Sequence, residues 1–226
     1  MGRTWKNNSL SIVAAVLFVF TFVGHSLTGW AAHNQEEKDH GQPPAGFVEY
    51  LSTGSFLESV FENWESEFLQ MGLFVLITAM LVQKGAAESK TPEGEEGAGE
   101  DPQSKDPRKH RNDPHAPWPV RRGGVVLDIY QNSLSLAFLL LFVATFVAHG
   151  LSGAADYNDE QKEHGGKTIA PMAYFAYPRF WFESFQNWQS EFLSVLSVVG
   201  FSIWLRQRGS PESKPVHAPH EKTGTD

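Results

Sequence analysis

Long apolar segments alternate with polar connections along this chain. Residues 10–29 and 134–153 contain no charged side chain and consist mostly of Leu, Ile, Val, Ala and Phe. At about 1.5 Å per residue, a helix of this length crosses a hydrocarbon core of roughly 30 Å. The pattern therefore predicts two transmembrane helices. Arg3 and Lys6 before the first segment also suit a secretory signal peptide, but the equivalent second segment lies in the middle of the chain.

Two further apolar runs, 68–82 and 192–205, are short for a membrane span. They become long enough if each helix begins earlier, near Phe56 and near Phe180. We therefore predict four spans, against the alternative that these runs form core helices of a globular domain. Because indole rings prefer the membrane–water boundary, three tryptophans are interpreted as interface anchors: Trp64, Trp181 and Trp188.

The pattern repeats after 124 residues. The segment 61–69, FENWESEFL, returns at 185–193 as FQNWQSEFL, with seven of nine residues identical. Between 8–41 and 132–165, 19 of 34 positions are identical without a gap. The chain is therefore interpreted as a tandem duplication. The predicted fold class is all-α and integral to the membrane: four transmembrane helices form two parallel helical-hairpin repeats, with amphipathic helical segments on the outer face.

Lys and Arg are unevenly distributed over the polar connections. Fourteen of them lie in the two termini and the central connection, whereas four lie in the connections 30–66 and 154–190. Cytoplasmic segments of membrane proteins carry an excess of Lys and Arg. Both termini and the central connection are therefore predicted to be cytoplasmic, and each repeat crosses the membrane outward and back.

Composition sets the predicted boundaries of these parts. The first hairpin repeat is predicted to cover 1–90 and the second 125–214. Pro, Gly and charged residues dominate the linker 91–124 and the tail 215–226, which lack the apolar content needed to fold. Both segments are predicted to be disordered in the cytoplasm.

Helix ends explain part of a second shared motif, Gly-x-x-Glu-Ser-Lys. Lys84 and Arg208 are predicted to occupy the last helical turn, where cations favour the helix dipole. Gly85 and Gly209 then follow as left-handed caps. The Glu-Ser-Lys part that follows stays open between anchoring at the membrane edge and contact with a cytoplasmic partner or lipid headgroup.

A polar face is expected on the helices that carry the repeated nonapeptide. Helical spacing places Asn63 and Glu67 on one face, and Asn187 and Glu191 occupy the equivalent positions of the second copy. A carboxylate at the start of an apolar layer is costly unless it faces protein or water. These four residues are therefore candidates for binding a ligand or an ion. The alternative is that each glutamate extends into the lipid headgroups.

Histidines lie at equivalent positions near the outer ends of the first and third predicted spans. His25 and His149 are expected at a depth close to that of Glu67 and Glu191. Such a group can hold a metal ion, relay a proton or bind an organic ligand such as haem, although a histidine at a helix end is more often structural. The Glu-x-x-His pair of di-iron bundles is missing. The metal stays unknown, and no cofactor is predicted.

Composition and motifs exclude several functional classes. The chain has no cysteine, which excludes disulfides and thiol nucleophiles. A net charge of −8 argues against binding to nucleic acid. The sequence contains no P-loop, G-x-S-x-G, H-E-x-x-H or dinucleotide fingerprint. An enzyme is therefore not expected, and no catalytic residue is assigned.

The motifs Asn-Trp-x-Ser-Glu-Phe-Leu and Gly-x-x-Glu-Ser-Lys, present in both copies, carry a resemblance. They resemble a bacterial family of small multi-pass membrane proteins catalogued as a domain of unknown function. The resemblance covers both repeats and implies a bacterial inner-membrane location, but no activity or ligand. In that family the position of His25 often holds Gln, which favours Glu67, Glu191 and their Asn partners as the site.

We therefore expect a non-enzymatic membrane protein whose outward-facing polar cluster binds an ion, a lipid headgroup or a partner. The alternatives are proton-coupled or passive transport between the two repeats, and binding of a metal or haem. The expected partners are the lipid bilayer and either another copy of the chain or another membrane protein.

Overall fold

A computed structural model describes residues 3–94 and 105–224. Of the described residues, 70% are helical and none lies in a strand. The predicted all-α class is confirmed. The helices are α1 (Arg3–Asp39), α2 (Phe47–Tyr50), α3 (Gly54–Met80), α4 (Trp118–Arg122), α5 (Gly124–Gln131), α6 (Ser133–Glu163) and α7 (Pro178–Trp204), with 3-10 helices at Pro107–His110 and Pro171–Ala176.

The helix boundaries follow the period of the sequence. Helix α7 begins 124 residues after α3 and also ends 124 residues after it. Helices α1 and α6 likewise end 124 residues apart, at Asp39 and Glu163. The same local signals therefore end equivalent helices in the two copies.

Equivalent asparagines interrupt the helices near their amino-terminal ends. The backbone of α1 leaves helical geometry at Asn8 (φ −135°, ψ 17°), and Asn132 separates α5 from α6 with φ −111° and ψ 7°. Asn8 Nδ2 donates to the Thr4 carbonyl at 3.0 Å, and Asn132 Nδ2 donates to the Asp128 carbonyl at 2.8 Å. Because these side chains compete with the helical backbone for acceptors, the helix breaks at the same place in both copies.

Two helices of the described chain are long and apolar enough to cross a membrane. They are Asn7–Asp39 and Ser133–Glu163. They contain the predicted first and third spans, 10–29 and 134–153.

The ends of α3 and α7 correct one prediction. Because these helices end at Met80 and Trp204, Lys84 and Arg208 lie beyond the last helical turn. Other side chains reach the terminal carbonyls instead: Lys90 Nζ donates to Ala79, and Arg206 Nη1 donates to Ser202 at 3.2 Å. The left-handed backbone of the two glycines is confirmed, with φ values of 82° at Gly85 and 85° at Gly209. They do not cap the helices, because the helices end five residues earlier.

Residues 95–104 of the predicted linker lie outside the described residues. In the remainder of that segment, Pro107–His110 and Trp118–Arg122 are helical. Asp106 caps the first of these, since its Oδ1 accepts a bond of 2.9 Å from the Arg108 amide.

The chain forms two compact units. The first unit comprises Met1–Phe61 and Ala148–Phe180, and the second comprises Glu62–Val147 and Trp181–Asp226. Each unit combines residues from both sequence copies.

Within the first unit, two buried tyrosines pack on equivalent glycines. A Cβ added to Gly29 would lie 2.2 Å from the Tyr50 hydroxyl oxygen, and one added to Gly153 would lie 2.6 Å from Tyr174 Cε1. Real Cβ atoms do not approach other atoms this closely. Glycine at these positions therefore allows the segments after α1 and α6 to fold back onto those helices.

Candidate functional site

Asparagines shared by the two copies hold the connections that follow α1 and α6. Asn34 Oδ1 accepts from the Ala45 amide at 2.8 Å while its Nδ2 donates to the Ala45 carbonyl at 3.1 Å. Asn158 makes the same pair of bonds to Ile169, at 2.7 and 2.9 Å. One side chain thus satisfies both backbone groups of a residue in the connection. Both asparagines have a structural role.

The shared His-Gly pairs end α1 and α6. Gly41 and Gly165 have φ values of 75° and 67°, in the left-handed region. The Gly41 amide donates to the Lys38 carbonyl at 3.1 Å, and the Gly165 amide donates to the Lys162 carbonyl at 3.3 Å. This is the geometry of a glycine C-cap. The recurrence of these pairs reflects helix termination.

Arg179 brings three carboxylates of the first unit together. Its Nη2 lies 3.0 Å from Asp156 Oδ2 and 3.9 Å from Glu58 Oε2, and its Nη1 lies 2.8 Å from Glu160 Oε2. The guanidinium is partly exposed, whereas the Glu58 side chain is almost fully enclosed. One guanidinium therefore pairs with three carboxylates, and the cluster keeps a net negative charge.

Glu58 also accepts a hydrogen bond from Tyr174. The Tyr174 hydroxyl lies 3.2 Å from Glu58 Oε1. Tyr174 is fully buried, and its ring packs edge-on against Phe180 with centroids 5.9 Å apart. A buried carboxylate needs such donors because its desolvation is costly. The aromatic cluster thereby holds Glu58 in place beside Arg179.

Arg179, Asp156 and Glu160 line a groove of about 1000 Å³ that lies within the first unit. Seven carboxylate side chains line it against two basic ones, with three histidines in addition. His33 Nε2 lies 3.8 Å from Glu37 Oε1, so an imidazole and a carboxylate are adjacent in the groove. The titratable lining residues are Glu36, Glu37, Glu49, Asp156, Asp159, Glu160, Glu163, Lys162, Arg179, His33, His40 and His164. The groove is therefore strongly acidic.

The two candidate histidines have different surroundings. His25 Nε2 lies 3.1 Å from Ser59 Oγ. His149 is fully buried, and its ring packs on Phe180 with centroids 4.8 Å apart. Both histidines thus contact residues at the beginning of the next long helix of the chain.

In the second unit, two of the predicted residues contact glutamates that are not among the predicted site residues. Asn187 Nδ2 donates to Glu62 Oε1, and Trp188 Nε1 donates to Glu65 Oε1 at 3.0 Å. Glu65 is fully buried. Sequence analysis missed Glu62 and Glu65 because they become Gln in the second copy. A search for residues shared by the two copies therefore did not find carboxylates that only one copy carries.

The remaining predicted polar residues lie closer to the surface. Asn63 and Glu67 are exposed, and Glu191 is half-buried. Gln70, which shares their predicted helix face, donates to Ser194 Oγ at 2.9 Å and to the Glu191 carbonyl at 3.2 Å. Helices α3 and α7, which carry the repeated nonapeptide, thus contact each other through Gln70 and Ser194.

The predicted interface anchors make aromatic contacts. Trp181 lies with its ring centroid 6.1 Å from that of Phe146 and 5.8 Å from that of Phe185. Trp188 packs edge-on against Phe185 at 5.4 Å. Trp64 is half-buried. Trp181 and Trp188 belong to a cluster of aromatic side chains in the second unit.

The Gly-x-x-Glu-Ser-Lys motif forms the same turn in both copies. Ser89 Oγ accepts from the Gln83 amide at 2.7 Å, and Ser213 Oγ accepts from the Gln207 amide at 2.8 Å. A serine hydroxyl that accepts from a backbone amide stabilises a turn without a helix. The shared serine therefore defines the loop that follows α3 and α7.

The glutamates of the two motifs contact each other. Burial, followed by the hydrogen bond and the repulsion from Glu212, raises the pKa of Glu88 to about 7. Two adjacent carboxyl groups cannot both ionise without cost. The side chains of Glu88 and Glu212 therefore bring the two motifs together.

Comparison with known families matches residues 1–225 to one family model, described as Domain of unknown function (DUF6766). The match includes both sequence copies, the linker and most of the tail. No curated protein and no solved structure matches the chain.

Proposed function

The chain belongs to the family described as Domain of unknown function (DUF6766), and we propose that it is a non-enzymatic membrane protein that binds a cation. It spans the bacterial inner membrane four times as two parallel hairpin repeats. The acidic groove of the first unit faces outward and holds an extended organic cation with several positive charges, such as a linear polyamine.

The surface of α1 and α6 supports the membrane location. In the apolar stretch of the first candidate span, only 6% of the residues are buried. In the apolar stretch of the second, 17% are buried. A core helix of a soluble protein would be mostly buried, since apolar side chains in contact with water are unfavourable. The second candidate span lies in the middle of the chain, where a signal peptide does not occur.

Helices α3 and α7 supply the second and fourth spans. Their carboxyl-terminal parts expose large apolar side chains: Leu76, Met80, Leu193, Leu196, Phe201 and Trp204. Soluble monomers rarely expose contiguous apolar patches beyond a few hundred Å². Lipid is the environment that suits this surface.

Cysteine labelling tests the topology. The native chain has no cysteine, so Asp159→Cys and Lys109→Cys each introduce one reactive thiol. Under the proposed orientation, a membrane-impermeant maleimide added to intact cells should label position 159 but not position 109. Lysed cells provide the control, because both positions should then react. Labelling of position 109 from outside would contradict the orientation.

The charge of the groove is the observation that carries the proposed ligand. Its lining holds seven carboxylates but only two basic side chains. The groove, at about 1000 Å³, is far larger than a cage for one dehydrated metal ion, whose oxygen ligands lie at about 2.0–2.6 Å. Carboxylates spread along a groove of this size suit a ligand whose positive charges are also spread out.

Calorimetric titration of spermidine into the purified protein tests this function. Glu36 and Glu163 line the groove and are exposed. The double variant Glu36→Gln/Glu163→Gln should weaken spermidine binding about tenfold, because two attractions near a partly exposed site are lost, each about 0.5–1 kcal/mol. Glu93→Gln, an exposed glutamate of the second unit, is the matched control and should leave the affinity unchanged.

Titrations with Mg²⁺, Ca²⁺ and Zn²⁺ complete the experiment. If one of these ions binds and spermidine does not, the groove is a metal site. If the double variant and the control lose affinity equally, the attraction comes from overall charge and the groove is not the binding site.

A further inference from the structure

The loop that follows α3 is covered by the carboxyl-terminal tail. We call residues 83–90 the first loop. The Gly85 amide donates to Thr223 Oγ1 at 2.9 Å, and the Gly224 amide donates to the Ala86 carbonyl at 3.0 Å. Ala86 is 1% exposed and Thr223 is 6% exposed. Thr223 and Gly224, a hydroxyl residue followed by glycine, therefore dock on the first loop through hydrogen bonds to its backbone.

The tail is held in this position by cations of the second copy. Lys214 Nζ donates to the carbonyls of His220 and Lys222, both at 2.8 Å. Arg206 Nη2 donates to the Ala218 carbonyl at 3.3 Å. Lys214 is almost fully buried. The tail segment is therefore packed into the second unit by these hydrogen bonds.

The loop that follows α7 has the same local fold. We call residues 207–214 the second loop. Gly209 has a φ of 85°, against 82° at Gly85. The Ser210 amide donates to the Gln207 carbonyl at 3.2 Å, as the Ala86 amide donates to the Gln83 carbonyl at 3.1 Å. The second loop thus presents the Gly209 amide and the Ser210 carbonyl, which already accepts one bond from the Ser213 amide at 3.3 Å and keeps a second lone pair.

Unlike the first loop, the second loop is open. A Cβ added to Gly85 would lie 2.8 Å from the His220 carbonyl oxygen, whereas one added to Gly209 would meet nothing within 4 Å. Among the described residues, none accepts a hydrogen bond from the Gly209 amide. A cavity of about 630 Å³ lies at this loop, lined by Gly209, Ser210 and their neighbours.

We propose that the second loop is a docking site for a peptide segment of a partner protein. The segment is extended and carries serine or threonine followed by glycine, like Thr223 and Gly224 on the first loop. Its hydroxyl accepts from the Gly209 amide, and the amide of its glycine donates to the Ser210 carbonyl.

The charge of the cavity indicates the flanking residues of that segment. Arg208 and His217 line the cavity, and none of the described residues that line it carries a carboxylate. Lys214 also lines it, but its ammonium group is occupied by the tail carbonyls. Complementary charge favours a partner segment that carries Asp or Glu beside the hydroxyl residue.

Binding of a synthetic peptide to the full-length protein tests the site. The probe is Glu-Lys-Thr-Gly-Thr-Asp, the sequence of residues 221–226. In protein labelled with ¹⁵N-glycine, the peptide should slow amide hydrogen exchange at Gly209 at least tenfold. The Gly85 amide is already bonded to the tail, so its exchange should not change. Lack of protection at Gly209 at millimolar peptide would overturn the proposal.

Matched variants separate docking from nonspecific attraction. Arg208→Glu should weaken peptide binding about tenfold, whereas Lys84→Glu, at the equivalent position of the covered loop, should have no effect. A peptide with valine in place of its first threonine lacks the acceptor hydroxyl and should bind about tenfold more weakly. Equal losses from both variants would contradict docking on the second loop.

A second measurement identifies the class of occupant. Nanodiscs containing anionic phosphatidylglycerol should leave exchange at Gly209 unchanged when no peptide is added. Protection of Gly209 by these lipids alone would assign the loop to lipid headgroups. Protection that rises with protein concentration would assign it to a second copy of the chain. Either result would overturn the proposed partner.

Discussion

Phe180→Ala should lower the free energy of unfolding by about 3–5 kcal/mol, the usual cost of truncating a buried phenylalanine. Phe180 is fully buried, and its ring lies 5.0 Å from that of Phe175 and 4.8 Å from that of His149, centroid to centroid. Removing the ring leaves a cavity against Tyr174, which holds Glu58 beside Arg179. Equilibrium unfolding in detergent, followed by tryptophan fluorescence, measures the loss.

Phe182 provides the matched control on the same helix. Its side chain is 68% exposed, so Phe182→Ala should change the free energy of unfolding by less than about 0.5 kcal/mol. Similar losses in the two variants would mean that Phe180 is not part of a packed core. The variant Phe180→Leu, which keeps most of the apolar volume, should recover more than half of the loss.

Gly54→Ala should lower the free energy of unfolding by about 1–3 kcal/mol, the range for overpacking a filled site. A Cβ at Gly54 would lie 2.4 Å from the Asp156 amide nitrogen and 2.9 Å from the Ala155 carbonyl carbon. Backbone atoms cannot swing aside as a flexible side chain can. The start of α3 must therefore move away from α6, and thermal unfolding in detergent should show the lower stability.

The same substitution at Gly24 should have the opposite sign. A Cβ there would meet nothing within 4 Å, and Gly24 lies inside α1. Alanine in a helix interior is favoured over glycine by about 0.5–1 kcal/mol. Gly24→Ala should therefore leave the protein as stable or more stable. Equal destabilisation by both substitutions would contradict the close approach at Gly54.

Residues shared by the two sequence copies differ in role from some of the charged residues that only one copy has. Shared residues such as Asn34 and Asn158 make the same local bonds in each copy. Two of the charged contacts instead arise where the copies differ: position 179 holds Arg where the first copy has Ser55, and Glu65 corresponds to Gln189. The ion pairs of Arg179 and the buried Glu65 therefore depend on positions at which the two copies differ.

Much of the helical framework could be predicted from the sequence, because its causes are local. Charge-free segments of 20 residues predicted the cores of α1 and α6, and the glycine signals predicted the left-handed backbone at Gly85 and Gly209, although not its place beyond the helix end. The position of Lys84 was the exception. Whether a cation lies inside the last turn depends on where the helix ends, and side chains from later in the chain decide that.

By itself, the sequence determined the helical class, the period of 124 residues and the membership in a family whose model covers 1–225. Apolar periodicity, capping and identity between the copies act over a few residues and can be read directly. Only the tertiary structure decided which polar groups meet. Glu65 and Trp188 are 123 residues apart, and Arg179 reaches back to Glu58. Neither contact repeats in the other copy, so internal symmetry did not reveal it. Burial, which makes such contacts necessary, exists only in the folded chain.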